Sequence, residues 1–221
     1  MTWVQTVSGI PFDLLDPKPD MVRVDDIAHA LSRIVRFNGH TSGEPYSVAH
    51  HSMLVADLLA SWGAPPAIVR EGLLHDAAEA YYGDIVSPLK RAMVAGISRD
   101  VSDFETVAAR IDEVVRKTLG LPPIQSQLVT RADLVALAIE RRDLFGSCER
   151  DWHLGEFAPT SAPCAKCHDH GQGRSFGMAF SDAVLRPPYL CSWNTARDRF
   201  SGFLRELDVA AGFEPATAEA A

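Results

Sequence analysis

A histidine and three carboxylates lie close together near one end of an apolar segment. They follow one another in the order His75, Asp76, Glu79 and Asp84. The neighbouring leucines and alanines predict that this segment is buried, and a buried charge is costly unless it is paired or bound to a metal ion. Clustered imidazole and carboxylate groups therefore indicate metal ligation and acid–base chemistry.

Further metal ligands must come from other helices, because a neighbouring histidine and aspartate cannot complete a coordination sphere. Helical spacing puts His51 near the inward face of a second apolar segment and His50 about 100° around it, so we expect His51 to bind and His50 to lie beside the site or at the surface. Asp133 lies in a strongly apolar segment, where an unpaired carboxylate is disfavoured. We expect His51 and Asp133 to join His75 and Asp76 around one divalent metal, with Mn, Co, Fe, Ni, Zn and Mg all open.

The four cysteines form a separate group near the C-terminus. They are too few for a secreted disulfide scaffold, which predicts free thiols or metal ligands. Two of them are separated by two residues, a spacing found in structural zinc sites, and histidines follow closely. The segment predicts either a second, structural zinc site or an exposed insertion with reduced thiols. The candidate ligands are Cys148, Cys164, Cys167 and Cys191, with His168 or His170 as a substitute for one of them.

Helical periodicity predicts the elements that must position these groups. Apolar residues recur at helical spacing along most of the chain, with no convincing run of alternating strands, so we expect an all-α fold. A short N-terminal β/loop segment precedes the helices, with a hairpin between residues 2–7 and 21–24. The predicted helices span about 25–37, 47–59, 66–82, 101–119, 124–145 and 195–207.

The same pattern predicts one domain over residues 1–221. Its helical core spans about 25–146, and an irregular Cys-containing insertion over about 147–191 separates the core from a C-terminal helix at about 195–207. The length of 221 residues is enough for one sizeable hydrophobic core.

Composition and charge exclude several classes of protein. A formal net charge of −8 argues against broad binding to the phosphate backbone of duplex nucleic acid. No apolar run approaches the roughly 18 to 20 residues that span a bilayer, and the N-terminus lacks the pattern of a signal peptide. We expect a cytoplasmic protein with no membrane partner, and the amphipathic helices predict a homo-oligomer.

Short motifs combine the candidate residues along the chain. They are SVAHHS at 47–52, LHDAAE at 74–79, GD at 83–84, PLK at 88–90 and AD at 132–133. Together these motifs resemble the HD superfamily of metal-dependent phosphohydrolases, and most closely the bacterial and phage 5′-deoxynucleotidases and the phage dNTP (dATP) triphosphohydrolases. The resemblance covers roughly residues 12–145 and the last helix, and it implies an HD-domain helical bundle.

The resemblance also implies a role for each matched residue, beginning with the same four metal ligands. Glu79 would orient or deprotonate the attacking water, and Asp84 would contact a sugar hydroxyl. Arg36 would hold the phosphate, with Lys90 as a further phosphate candidate. Phe37 would pack on the sugar, at a position where the family often has tryptophan.

The function that the resemblance implies is hydrolysis of a 5′-phosphate ester or phosphoanhydride of a deoxynucleotide, either a dNMP or a dNTP. The leading alternative is a phage-type dATP triphosphohydrolase that releases triphosphate. A catalytically idle HD module that binds a nucleotide is an alternative from another class. Glu79 argues against the idle module, because a site kept only for binding needs no water-orienting carboxylate. A phosphodiesterase or nuclease is a further alternative, which the acidic net charge disfavours.

Overall fold

Helices form most of the structure, a computed structural model that describes residues 1–96, 101–148, 150, 152, 154 and 191–213. The mostly helical character agrees with the expected all-α class. None of the described helices is long and apolar enough to cross a membrane. The helices are α1 (Val24–Leu31), α2 (Val48–Ser61), α3 (Pro66–Leu74), α4 (Glu79–Tyr82), α5 (Ser87–Gly96), α6 (Val101–Thr118), α7 (Gln127–Leu144) and α8 (Trp193–Ala211).

An antiparallel hairpin forms the N-terminal β segment. Strand β1 (Trp3–Gln5) pairs with β2 (Pro11–Asp13), so the prediction that residues 21–24 supply the second strand is wrong. Residues 11–13 form the second strand because Gly9, in the left-handed region at φ +87°, closes a short turn between them and β1. Residues Pro19–Met21 form a 3-10 helix instead.

The first helix ends earlier than predicted. Helix α1 stops at Leu31, whereas the apolar pattern predicts helix to about residue 37. The hydroxyl of Ser32 donates to the carbonyl of His29 at 2.8 Å, one of the local hydrogen bonds by which serine competes with a continuing helix.

The segment after α1 becomes a short extended link to α2. Val35 forms an isolated antiparallel bridge with Ser47, which puts Arg36 at the start of a tight turn. Phe37 and Asn38 follow with φ of +55° and +53°, in the left-handed region that non-glycine residues seldom adopt. Such strained backbone persists only where the surrounding structure holds it.

Helix α2 lies at the centre of the molecule and packs against α3, α7 and α8. Most of its residues are buried, and the close approach of α3 depends on Gly72. A Cβ atom at Gly72 would lie 2.2 Å from Cδ1 of the buried Leu59 and 3.4 Å from Cγ1 of Val55. The absence of a side chain at Gly72 therefore brings the histidine-bearing ends of α2 and α3 together.

The helix predicted over residues 66–82 is divided in two. Helix α3 ends at Leu74, turns occupy residues 75–78, and α4 begins at Glu79. In the turns, the backbone N–H of residue 77 donates to the carbonyl of residue 74, and that of residue 79 to residue 76. These bonds span three residues rather than four, a tightening often seen where a helix carries function.

The later elements agree more closely with the periodicity. Helix α6 matches its predicted span, α7 begins a little late because Ser126 caps it, and α8 extends beyond both predicted ends. Helix α5 forms where a loop was expected, since a proline in the first helical turn is compatible with a helix. Most of the predicted insertion at 147–191 lies outside the described residues.

Candidate metal centre

Four predicted metal ligands converge from three parts of the chain. His51 lies on α2, His75 and Asp76 follow the end of α3, and Asp133 lies on α7. His75 Nε2 lies 3.2 Å from an oxygen of Asp76 and 4.0 Å from an oxygen of Asp133. His51 Nε2 lies 3.1 Å from Asp133 and 3.7 Å from Asp76. The tight turn after α3 allows two successive side chains to face one point.

The side chains at this point fit a divalent metal ion. One ligand atom each from His51, His75 and Asp76 lies within 4.8 Å of the others. The Nε2 atoms of both histidines are buried and lack a well-aligned hydrogen-bond partner among the described residues. A buried nitrogen without a partner is costly, and a metal ion bound by nitrogen and carboxylate oxygen would remove that cost.

The remaining ring nitrogens orient both imidazoles. His75 Nδ1 donates to the carbonyl of Gly72 at 2.8 Å, and His51 Nδ1 donates to Glu140 Oε1 at 2.7 Å. Metal-binding histidines usually donate their second nitrogen to a carbonyl or a carboxylate in this way. Each Nε2 atom is therefore directed at the centre of the site.

Glu140, which is fully buried on α7, is a site residue that the sequence motifs did not predict. It lies seven residues after Asp133, about two helical turns, so the two carboxylates share one face of α7. That spacing was the available signal. The charged residues directly after Glu140 make the segment resemble a solvated helix end, which obscured it.

The electrostatics reflect a surplus of negative charge around the two imidazoles. Burial lowers the pKa of His75, but the carboxylates of Asp76 and Asp133 outweigh it and raise the pKa to about 9. Burial raises the pKa of Asp76, whereas His75 and His51 hold it below its ordinary value. Without a metal, the centre therefore holds protons that a bound cation would replace.

Glu79 lies at the edge of this centre with one buried oxygen, Oε2, that has no hydrogen-bond partner among the described residues. Burial, with the charges of Asp76 and Asp84, raises the pKa of Glu79 to about 9. Burial also raises the pKa of the half-buried Asp84. Lys90 is exposed on α5, and its charge opposes both of these shifts.

Arg36, whose side chain is 11% exposed, brings a positive charge to the same edge. Its guanidinium donates to Glu140 Oε2 at 3.2 Å, and another of its nitrogens lies 3.8 Å from Asp76. Burial lowers the pKa of Arg36, but Glu140 and Asp76 outweigh it and raise the pKa above its ordinary value. Arg36 therefore remains charged next to the candidate metal ligands.

Phe37 places an aromatic ring beside this guanidinium. The Arg36 Cζ atom lies 5.1 Å from the centroid of the Phe37 ring. The ring also makes an edge contact with Phe145 at 5.0 Å and a tilted contact with Trp152 at 6.0 Å between centroids. The left-handed backbone at Phe37 thus turns its side chain toward an aromatic cluster next to Arg36.

His50 serves the local structure of α2 rather than the centre. Its Nδ1 accepts from the backbone N–H of Ser47 at 3.0 Å, and the Ser47 side chain accepts from the His50 backbone, which together make a capping box. Its Nε2 lies 3.4 Å from the Cys191 sulfur, and burial is the main cause that lowers its pKa to about 4. His50 is therefore neutral at pH 7, and its ring nitrogens contact Ser47 and Cys191 rather than the candidate metal ligands.

The cysteines are only partly described. Cys148 is exposed and Cys191 is half-buried, and both are free thiols. Cys164, Cys167, His168 and His170 lie outside the described residues. The zinc site and its alternative, an exposed insertion, stay predictions.

Two curated proteins show clear similarity to this chain, although no family model matches it. The chain is 38% identical to an uncharacterized protein of Escherichia coli, YfdR, over 176 residues that cover 77% of this chain and 91% of YfdR. It is 35% identical to an uncharacterized protein of Rhodobacter capsulatus over 158 residues, 67% of this chain and 76% of that protein. These matches cover most of each relative, so the similarity extends well beyond a short motif.

Proposed function

We propose that this chain, which belongs to the protein family that includes YfdR of Escherichia coli, is a metal-dependent phosphohydrolase of the HD superfamily that acts on deoxynucleotides. One observation carries the proposal. Two buried imidazole nitrogens that lack an aligned hydrogen-bond partner among the described residues face two carboxylates, beside a largely buried arginine side chain. Metal ligands next to a fixed guanidinium suit a phosphate ester, whose oxygens can meet both.

The chain would hold one divalent metal with the four ligands predicted from the sequence. When bound, such an ion lowers the pKa of water and polarises a phosphoryl oxygen. The ligand set is His51, His75, Asp76 and Asp133.

Glu79 supplies the acid–base group. Its Oε2 atom is buried near the ligands but makes no described hydrogen bond, so it is available to a water molecule. Without a metal, the raised pKa keeps this carboxyl group protonated at neutral pH. The positive charge of a bound cation would lower that pKa, so that the carboxylate could then take a proton from the water. Glu79 would orient the water and accept its proton as the phosphorus–oxygen bond is attacked.

The substrate contacts follow from the groups around the ligands. Arg36 would hold the phosphate, because its planar guanidinium can donate two parallel hydrogen bonds to phosphate oxygens. Phe37 would pack on the sugar, and Asp84 would accept from a sugar hydroxyl. Lys90, exposed on α5, would attract the substrate's negative charge. The substrate would be a dNMP or a dNTP, and dATP hydrolysis to triphosphate is the principal variant of the proposal.

The test is a hydrolysis panel on the full chain. Mn²⁺, Co²⁺, Mg²⁺ and Zn²⁺ are each supplied with every dNMP, rNMP and dNTP, and phosphate, pyrophosphate and triphosphate are resolved as separate products. His75→Ala is compared with His29→Ala, a half-buried histidine on α1, and Glu79→Gln with Glu113→Gln, an exposed glutamate on α6.

Release of phosphate from dNMPs, lost only in the two site variants, would support the nucleotidase form of the proposal. Release of triphosphate from a dNTP would identify the triphosphohydrolase form and its base. If every metal fails with every nucleotide, while nucleotide binding persists, the chain is an idle binding module and the proposal is wrong.

We further propose that the enzyme is cytoplasmic and forms a homo-oligomer. Light scattering coupled to size-exclusion chromatography tests the second point, since a mass of 24.1 kDa would show a monomer.

A further inference from the structure

The buried carboxylate of Glu140 has two oxygens with two different partners. Oε1 accepts from His51 Nδ1 at 2.7 Å, and Oε2 accepts from the Arg36 guanidinium at 3.2 Å. Glu140 itself is fully buried on α7, so water does not compete for either bond. One side chain therefore contacts a candidate metal ligand and the candidate phosphate-binding residue.

The contact with His51 sets which ring nitrogen faces the centre. Because Nδ1 carries the hydrogen that Glu140 accepts, Nε2 keeps its lone pair for a metal ion. A carboxylate behind an imidazole also makes the imidazole a stronger donor. His75 has only the neutral carbonyl of Gly72 in the corresponding place.

The contact with Arg36 holds the guanidinium at the edge of the centre. Another nitrogen of Arg36 faces Asp76 at 3.8 Å, so the side chain lies between a candidate metal ligand and Glu140. Without Glu140, the guanidinium of Arg36 would keep only the longer contact with Asp76 as an ion pair among the described residues. The guanidinium of Arg36 would then lose the hydrogen bond to Glu140 that fixes the orientation of its plane.

We propose that Glu140 is a positioning residue that couples the metal centre to the phosphate site. Metal affinity depends on it through His51, and phosphate affinity depends on it through Arg36. The phosphate arm of this inference rests on the proposed function, whereas the metal arm requires only that the centre binds a metal.

The test uses Glu140→Gln, which keeps the shape of the side chain. A glutamine can present its oxygen to only one of the two donors, and its NH2 group then faces the other donor. Glu206→Gln, an exposed glutamate on α8, is the control with the same change of charge. Arg36→Met and the double variant complete a cycle, and circular dichroism shows that each variant is folded.

Two affinities are measured without turnover. Mn²⁺ alone is titrated by electron paramagnetic resonance, and inorganic phosphate is titrated by calorimetry into protein saturated with Mn²⁺. We expect Glu140→Gln to weaken Mn²⁺ binding by about 10- to 100-fold when Arg36 is present. In the Arg36→Met background the loss should be smaller but still measurable, because the amide oxygen can turn to His51 but is a weaker acceptor than a carboxylate. We expect Glu140→Gln to weaken phosphate binding only where Arg36 is present.

A purely structural role for Glu140 gives different results. If Glu140 serves only to neutralise Arg36, the loss of Mn²⁺ affinity disappears in the Arg36→Met background, and the inference is overturned. Unchanged Mn²⁺ affinity in Glu140→Gln also overturns it.

A second measurement covers a Glu140 variant that does not fold. Nitrogen-15 NMR of the wild-type protein loaded with Zn²⁺ reports which nitrogen of His51 carries hydrogen. We expect hydrogen on Nδ1, and binding of Zn²⁺ through Nδ1 would overturn the inference.

The proposed function and this inference fail in distinguishable ways. A wild-type chain that hydrolyses nucleotides, while Glu140→Gln retains both affinities, contradicts the inference alone. A wild-type chain that binds Mn²⁺ through His51 Nε2 but hydrolyses no nucleotide contradicts the proposed function and leaves the metal arm supported. A wild-type chain that binds no metal overturns both.

Discussion

Two groups of buried charged side chains lie along α3, one at its middle and one beyond its C-terminal end, and they differ in how their charges are balanced. At the middle of α3, Arg70 Nε lies 2.5 Å from Asp208 and Arg116 lies 3.1 Å from Glu71; we call these four residues the ion-pair cluster. Arg70 also donates to a backbone carbonyl, and Glu71 accepts from a backbone N–H at 2.8 Å. Each charge in the cluster has an opposite charge of its own.

The candidate metal centre beyond the end of α3 lacks this balance, because its carboxylates outnumber its permanent positive charges. Among the described residues, the Nε2 atoms of His51 and His75 and the Oε2 atom of Glu79 are buried without an aligned hydrogen-bond partner, whereas the ion-pair cluster has one such atom, Glu71 Oε2. Balanced buried charges can hold helices together, whereas a surplus of one sign with unpartnered atoms costs stability. A candidate functional site can therefore be recognised by buried charges that lack opposite charges of their own.

The largest effect that we expect is a loss of hydrolysis at the metal centre with little change in the stability of the fold. Glu79→Gln removes the proton acceptor, so hydrolysis should fall by about 10²- to 10⁴-fold. The pKa of about 9 means that Glu79 is neutral at pH 7 without metal, so glutamine replaces a group of the same charge. The free energy of urea unfolding of the metal-free protein at pH 7 should therefore change little. A marked loss of stability would show that Glu79 is a structural residue.

The ion-pair cluster should show the reverse pattern. Asp208→Ala leaves the buried Arg70 without its carboxylate, which should lower the free energy of unfolding by about 3–5 kcal/mol. Mn²⁺ affinity of the folded variant should not change. The double variant Arg70→Met with Asp208→Leu should regain much of the stability, since a pair of apolar residues can replace a buried ion pair. Weaker Mn²⁺ binding in Asp208→Ala would contradict the separation of the two regions.

Metal addition should stabilise the protein through the centre alone. At a free Mn²⁺ concentration of 100 times Kd, the free energy of unfolding should rise by about 2.7 kcal/mol. Asp208→Ala should gain as much as the wild type, whereas Asp133→Asn should gain much less. Thermal unfolding with and without Mn²⁺ measures the difference, and an equal gain in Asp133→Asn would place the metal elsewhere.

The pH dependence of metal binding should also distinguish the candidate metal centre from the ion-pair cluster. Because the pKa of His75 is raised to about 9, the ring is protonated at pH 7 and a metal must displace that proton. Apparent Mn²⁺ affinity should therefore rise by about tenfold per pH unit for one proton between pH 7 and 9, and then level off. Calorimetry in buffers of different ionisation enthalpy counts the protons released, and no release at pH 7 would refute the raised pKa.

The smallest effect concerns the histidine next to the centre. Ser47→Ala removes the side-chain half of the capping box that Ser47 forms with His50, and should cost about 1 kcal/mol of unfolding free energy. Mn²⁺ affinity should stay unchanged, because His50 belongs to the end of α2 and not to the centre. Urea unfolding and a Mn²⁺ titration on the same sample check both statements.

The four candidate metal ligands, which the structure brings together, could be predicted from the sequence because each is an ionisable residue in an apolar helical segment. Residues such as His51 and Asp133 need a compensating partner, and that need is visible before any fold is known. The break after α3 could not be predicted, since the alanines at residues 77 and 78 favour a continuous helix. Tertiary contacts decide it: Tyr81, beyond the break, stacks on Phe12 of β2 with ring centroids 3.7 Å apart.

The backbone position of Arg36 also could not be predicted from the local sequence. The resemblance implied that Arg36 binds phosphate, but the local pattern predicted that Arg36 lies on a helix. The bridge between Val35 and Ser47, which lifts it out of α1, joins residues that are distant in sequence. Long-range pairing of that kind leaves little trace in local periodicity.

The missing side chain at Gly72 constrains more than its own position. The space that a methyl group would need is already filled by Leu59 from α2. The side chains at positions 59 and 72 therefore compete for the same space. A residue larger than glycine fits at position 72 only when a residue smaller than leucine occupies position 59. Among related sequences, we expect positions 59 and 72 to change together, with the sum of their side-chain volumes nearly constant.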